Sequence, residues 1–351
     1  MSINLKQMSD AKATVTIAML IVLINSPILV QAVPEQPSVA PVVVTLEPGV
    51  TDTQIQQALD GLPASGGEVL LPAGKILIRQ PVVLHRDFQT LRGSGAGTVL
   101  VLADNANCPV LIMGEAVNEP KQAVKDLCVR DLFIDGNRSH QSRELWQLRG
   151  EGSDIRNNGI TVQDVADSFV QHVTCAHCRS GGLVTTLNVR NLNVYELDAF
   201  DNQFDGLACY ETENCLFTEL NLHDNPGAGI SLDLAFNHNV ISNAVLTVND
   251  LGIFMRSSCN NQFYNVSIRD CHHNGVFMAQ EVEPTASGWG QVPRTECTHN
   301  AFTNLIATDC GGAAFRVNDT TCTNNVIIQA NFKGNRDGGL SEAELGMVVV
   351  R

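Results

Sequence analysis

Three residues of this chain stand at one step of a repeating pattern and bring together a phenol, a carboxylate and a guanidinium. Tyr210, Asp233 and Arg256 each lie four residues after a glycine (Gly206, Gly229, Gly252), and these glycines recur with Gly159, Gly182 and Gly275 at intervals of 23 or 24 residues. A cation beside a proton carrier can neutralise a negative group and shift a proton next to it. Two carboxylates about 5 to 9.5 Å apart can instead hydrolyse an acetal, and Asp233 with Asp205 or Glu211 would supply them. Two residues after the glycines stand Thr161, Val184, Ala208, Ser231, Phe254 and Phe277, so Phe254 and Phe277 form an aromatic shelf beside the charged file. The period breaks twice, by an insertion before Gly159 that carries Trp146 and by one after Gly275 that carries Trp289; these are the two tryptophans of the chain. Long loops on a rigid scaffold are where binding concentrates. His273 lies near the strand ends. A cross-strand charge pair accounts for Asp233 and Arg256 equally well, but an exposed pair contributes little to stability. On that view both residues can be removed with the melting temperature held within a few degrees, and only a ligand explains their placing.

Asp198, Asp201 and Asp205 crowd one turn, YELDAFDNQFD. Oxygen-rich acidic turns suit a hard cation such as calcium, although a solvated acidic turn reads the same. The eleven cysteines are an odd number. Four residues before the glycines or their equivalents come Cys178, Asn202, Asn225, Cys271 and Cys310, so Cys and Asn alternate in one column. That points to buried, reduced thiols rather than to zinc or redox chemistry at Cys175-Ala-His-Cys178. Cys271 and Cys310 fall in adjacent repeats, where they could be bridged, and are read as stacked thiols. Asn239, Asn261, Asn300 and Asn325 form a similar column, an amide ladder that satisfies turn backbone.

These positions need elements to hold them. After each glycine the first and third residues are apolar, as in Ile230/Leu232 and Ile253/Met255, which is the period of a half-buried strand. Upstream runs a second apolar string, Phe217-x-x-Leu220-x-Leu222 and Phe263-x-x-Val266-x-Ile268. A repeat of this length indicates a solenoid. Leucine-rich repeats want a leucine two residues after the Asn or Cys, where this chain has Gly227, His273 and Gly312. The expected fold is therefore all-β, a right-handed single-stranded parallel β-helix of ~23 residues per coil, capped by a short amphipathic helix over Thr53 to Leu62 behind Thr51.

The entry sequence strengthens this. Gly66-Gly67-Glu68-Val69-Leu70-Leu71-Pro72-Ala73-Gly74, Leu91-Arg92-Gly93-Ser94-Gly95 and Asp135-Gly136-Asn137 are similar to the entry of the pectin-lyase-like β-helix proteins. The resemblance covers nearly all of the chain after residue 50 and implies that fold; its members include lyases, epimerases, hydrolases and phage spikes. The Asp-Pro-His-Asp string of alginate epimerases and the paired-Asp and Gly-His-Gly motifs of polygalacturonases are absent from the sequence.

Residues 1–32 combine Lys6 and Lys12, an apolar run from Thr14 to Val30 and Val30-Gln31-Ala32, which reads as a secretory signal cleaved near Ala32; a single membrane-anchoring helix is the alternative, against which Asn25 and Pro27 interrupt the run. Residues 33–50 read as a linker and 51–351 as the β-helix. The product would be secreted, periplasmic or held at the cell surface, with no integral membrane domain. A net charge of −15 argues against nucleic acid as partner. Two function classes follow: an enzyme that eliminates, epimerises at a uronate C5 or hydrolyses a plant, algal or microbial polysaccharide, and a non-catalytic carbohydrate-binding or structural solenoid. Tyr210, Asp233 and Arg256 are the candidate catalytic residues; Trp146, Trp289, Phe254, Phe277, Asp205, Glu211 and His273 are the candidate substrate contacts. A phage-type spike fits the export signal poorly.

Overall fold

The computed structural model describes residues 42–143, 155–280, 296–343 and 346–351. Within them the chain winds as a right-handed parallel β-helix, each coil adding strands to parallel sheets whose order follows the chain. One sheet carries the long upstream strands, such as Leu216–His223 and Gln262–Arg269. A ten-stranded sheet holds the glycine strands, from Val82–Leu84 at one edge to Leu340–Glu342 at the other. A third sheet is built of two-residue strands such as Thr212–Glu213. Stepwise pairing, for example Phe217 to Ile241 to Phe263 to Phe302, turns the sequence period into columns.

Residue types explain each part of the coil. In the long strands the fourth residue takes a left-handed conformation, φ 55° at Glu219 and 53° at Asn265. This bend, costly for most side chains, resets the alternation so that Phe217, Leu220 and Leu222 all face inward and are buried. The F-x-x-L-x-L spacing is its imprint. Inside, Phe263 and Phe302 stack at 4.3 Å with an angle of 6°. The repeating glycine answers to crowding between coils: a Cβ on Gly252 would lie 2.4 Å from the carbonyl oxygen of Gly275.

The turns are satisfied by side-chain ladders. The Asn261 carbonyl accepts from the Asn239 amide N–H at 3.0 Å, Asn300 does the same for Asn261, and each amide NH2 donates to a turn carbonyl, as Asn261 does to Phe236 at 2.9 Å. The second ladder runs from Cys178 through Asn202 and Asn225. Its next rung is Asn249, not Val248 four residues before Gly252, because Val248 takes the left-handed conformation there, at φ 57°. All eleven cysteines are free thiols, nine of them buried. Burial raises the thiol pKa values of Cys108 and Cys128 to about 11 and pushes up those of Cys175, Cys178, Cys209 and Cys215, whereas hydrogen bonds from Cys271 and Cys297 lower those of Cys310 and Cys322.

At the entry the helix is Asp52–Asp60, capped by Thr51 in a box with Gln54, and it buries Ile55 and Leu59 over the first coil. One boundary is corrected. Val43–Thr45, expected in the linker, pairs in parallel with Gly67–Leu70, so the long-strand sheet begins before the helix. Residues 33–41 of the expected linker and the signal lie outside the described residues. Among the described residues no helix is long and apolar enough to cross a membrane.

Candidate functional site

The register of the glycine-strand sheet places the candidate columns as their spacing requires. Tyr210 pairs with Asp233, Ser231 with Phe254, Phe254 with Phe277, and Arg256 with Ala279. Arg256 donates from Nε to Asp233 Oδ2 at 3.1 Å and from Nη2 to the same oxygen. The backbone N–H of Leu234 holds Oδ1 at 2.8 Å. The Arg256 guanidinium also covers the Phe254 ring, 5.2 Å from its centroid. Phe254 and Phe277 are half-buried and parallel, with centroids 5.9 Å apart and an angle of 4°. The shelf and the ion pair therefore form one continuous patch.

The expectation of an open face is corrected. Asp233 is only 4% exposed, and Thr161, Gln163 and Thr186 in the same two columns are buried outright. Gln163 shows one cause: its amide donates to the carbonyls of Glu115 and Val117, which fold over this end of the sheet. Tyr210, Phe254, Arg256 and Phe277 remain half-buried. The Trp146 and Trp289 loops, expected to border the sheet, lie outside the described residues.

The acids divide between the two ends of the strands. Asp205 sits at the start, where its Oδ1 accepts from the Ala228 N–H at 2.7 Å. Asp233 sits at the end, on Leu234. Five residues of strand separate these anchor points, ~16 Å at the usual rise, beyond the ~9.5 Å that joins the carboxylates of a glycosidase. The pairing of Asp233 with Asp205 for hydrolysis is thus ruled out by strand geometry. Glu211, left-handed at φ 46° and bonded through its N–H to Leu234, is the carboxylate residue at the same end as Asp233. His273 is exposed at the other end, with Nδ1 2.7 Å from Asp250.

Electrostatics set the protonation states. Desolvation pushes Asp205 up to about 6, against the N–H of Ala228 and the charge of Arg156. Burial, reinforced by the charges of Asp205 and Asp233, raises the Tyr210 phenol well above its ordinary value. The phenol is therefore protonated at neutral pH.

Asp198, Asp201 and Asp205 do not converge. Asp198 accepts from the Asn221 amide and lies 3.5 Å from His223, Asp201 takes the Arg138 guanidinium at 2.7 Å, and Asp205 turns to Ala228. Among the described residues no group of acids, histidines and cysteines is arranged to hold a metal, so the calcium reading of this turn is not carried.

The sequence reading missed Arg156, which lies over the Phe204 ring at 4.8 Å and acts on both Asp205 and Tyr210. A signal existed: Arg156 and Arg179 both stand three residues before a column glycine, one step after the Cys and Asn column.

Comparison with known proteins agrees with this architecture. A family model described as a right handed beta helix region matches residues 131–250. The A-module of the Azotobacter vinelandii mannuronan C-5 epimerase AlgE6 superposes with a TM-score of 0.55 at 16% identity, over 86% of this chain and 93% of that one. A family 28 exopolygalacturonase of Yersinia enterocolitica gives 0.56 at 12%, over 88% and 78%. The enzymatically active domain of bacteriophage CBA120 tailspike protein 2 gives 0.63 at 13%, over 87% of this chain and 46% of the tailspike chain. No curated protein sequence matches the chain. At such identities the likeness is one of fold, and the sequence-level resemblance holds at that level.

Proposed function

The chain is a right-handed parallel β-helix protein, and on that premise we propose that it is exported and engages an acidic polysaccharide laid across its glycine strands. One observation carries the reading: the half-open guanidinium of Arg256, fixed on Asp233, adjoins two parallel phenylalanine rings. Sugar rings stack by their C–H faces on such a shelf, and a uronate carboxylate beside it meets the guanidinium. Two proteins of similar fold named for uronate polymers, an epimerase and an exopolygalacturonase, support the substrate class by analogy.

Elimination or C5 epimerisation suits the geometry better than hydrolysis. Arg256 neutralises the sugar carboxylate and so acidifies the C5 proton. A carboxylate at the same strand end, Asp233 or Glu211, takes that proton, and the neutral phenol of Tyr210 donates one to the departing oxygen or to the opposite face of C5. The alternative is a binding solenoid in which the same face holds the polymer without turnover. A screen of the purified protein on alginate and polygalacturonate decides between them, reading ultraviolet absorbance of unsaturated products, C5 configuration by NMR, reducing ends and retention in affinity gels. The reading requires that Phe254→Ala and Arg256→Gln lose retention, and that Asp233→Asn or Glu211→Gln abolish any turnover. Full retention by both of the first two variants sinks it.

A further inference from the structure

The glycine-strand sheet ends at the strand Val82–Leu84, and its open side is closed by a side chain. The Gln56 carbonyl accepts from the Val83 N–H at 2.8 Å while its NH2 donates to the Val83 carbonyl at 3.1 Å, the pattern a further strand would make. On the outward side of this strand, residues 115–121 stand as a wall. Gln163 holds the wall by its amide, 2.7 Å from the Val117 carbonyl, and the Glu115 carboxylate accepts from the Lys121 N–H at 2.6 Å. Between wall, strand and helix lies a cavity of about 960 Å³.

Its size falls within the ~300 to 1,000 Å³ of small-molecule sites, and two of its polar side chains, Gln56 and Glu115, are held by the bonds just described. Pro81, Val83 and Val117 give it an apolar lining. Gln80, His85, Asn118 and Glu119 add amides, an imidazole and a carboxylate. Among the described residues no aromatic ring other than His85 and no arginine lines it, and Lys121 is outnumbered by Glu115 and Glu119. That chemistry repels anions. It suits a ligand with an apolar face and a rim of neighbouring hydroxyls, which planar amides and carboxylates bridge two at a time.

We propose that this cavity binds a short uncharged saccharide, separately from the acidic polymer on the central face. The inference rests on the polysaccharide reading for the ligand class. Its place is distinct, because Val83 lies five ladder steps from Ser231, through Ile112, Thr161, Val184 and Ala208, or ~24 Å at the usual strand spacing.

The test uses the full chain and four probes, maltotriose, cellotriose, xylotriose and mannotriose, followed by saturation-transfer NMR and calorimetry. Ala116 is exposed at the cavity, so Ala116→Trp fills the space without touching the core. Gln80→Ala is the second variant, with melting curves run on both. At least one trisaccharide should bind the wild type, lose tenfold or more in affinity in Ala116→Trp, weaken in Gln80→Ala, and bind Phe254→Ala normally. Binding of none of the four, or binding that survives both cavity variants, overturns the proposal. Binding lost only in Phe254→Ala overturns it too, while leaving the central-face reading standing. Failure of the acidic-polymer screen with trisaccharide binding intact would strike that reading alone.

Discussion

Replacing Arg256 by glutamine should destabilise the protein measurably, although a sequence view of the pair as exposed predicts almost no effect. Two guanidinium hydrogen bonds end on a carboxylate that is 4% exposed. Hydrogen bonds to charged groups contribute ~1.5 to 3 kcal/mol, and breaking a fully buried ion pair costs ~3 to 5 kcal/mol. The Arg256 side chain is 35% exposed, so solvent screens part of this. The expected loss is therefore about 2 to 3 kcal/mol, on the order of 3 to 5 °C in melting temperature for a domain of this size. Asp233→Asn should cost less, because it withdraws the buried charge and keeps an acceptor for the Leu234 N–H. The double variant should be more stable than the sum of the single losses implies, by ~1 to 2 kcal/mol. Denaturant unfolding of the four proteins, followed by circular dichroism, measures the cycle. An Arg256→Gln variant as stable as the wild type, or strict additivity in the double variant, would refute the reasoning.

Asp205 should make stability fall with rising pH. Its folded value of about 6 lies above the unfolded carboxylate value, so its contribution is full below about pH 4 and is lost as pH rises through 6. Asp205→Asn keeps an acceptor for Ala228, and its stability relative to wild type should improve between pH 4 and 7.5 by up to ~3 kcal/mol; a difference independent of pH would show that the carboxyl is not desolvated. For the thiols, a native titration should find at most Cys108 and Cys128 reacting, and those slowly, with all eleven reacting after denaturation. Mass-spectrometric detection of five disulfides would contradict the buried-thiol ladders.

Much of this molecule was legible before any coordinates. The glycine interval, the Phe-x-x-Leu-x-Leu string and the Asn and Cys columns are set by contacts between neighbouring coils. Such contacts repeat with the chain period, so counting residues locates Tyr210 beside Asp233 and Asn239 beneath Asn261. Where the ladder departs from the count, as at Asn249 three residues before Gly252, the displacement is a single residue.

What counting could not supply depends on segments that leave the coils. Burial of Asp233, Thr186 and Gln163 is not periodic, since a column has the same register whether or not something lies over it. The three aspartates of one turn look like a cluster along the chain, yet Arg138 from an earlier coil and Asn221 and Ala228 from the next one draw them apart. Arg156 enters the site from beside an insertion, and the cavity unites Gln56 and Gln80 with residues 115–121, which no period relates. Sequence by itself determined the scaffold, because a solenoid is built from nearest-neighbour contacts. Only the tertiary structure decided which outward positions stay open and how charged, because those depend on the paths of excursions that no repeat encodes.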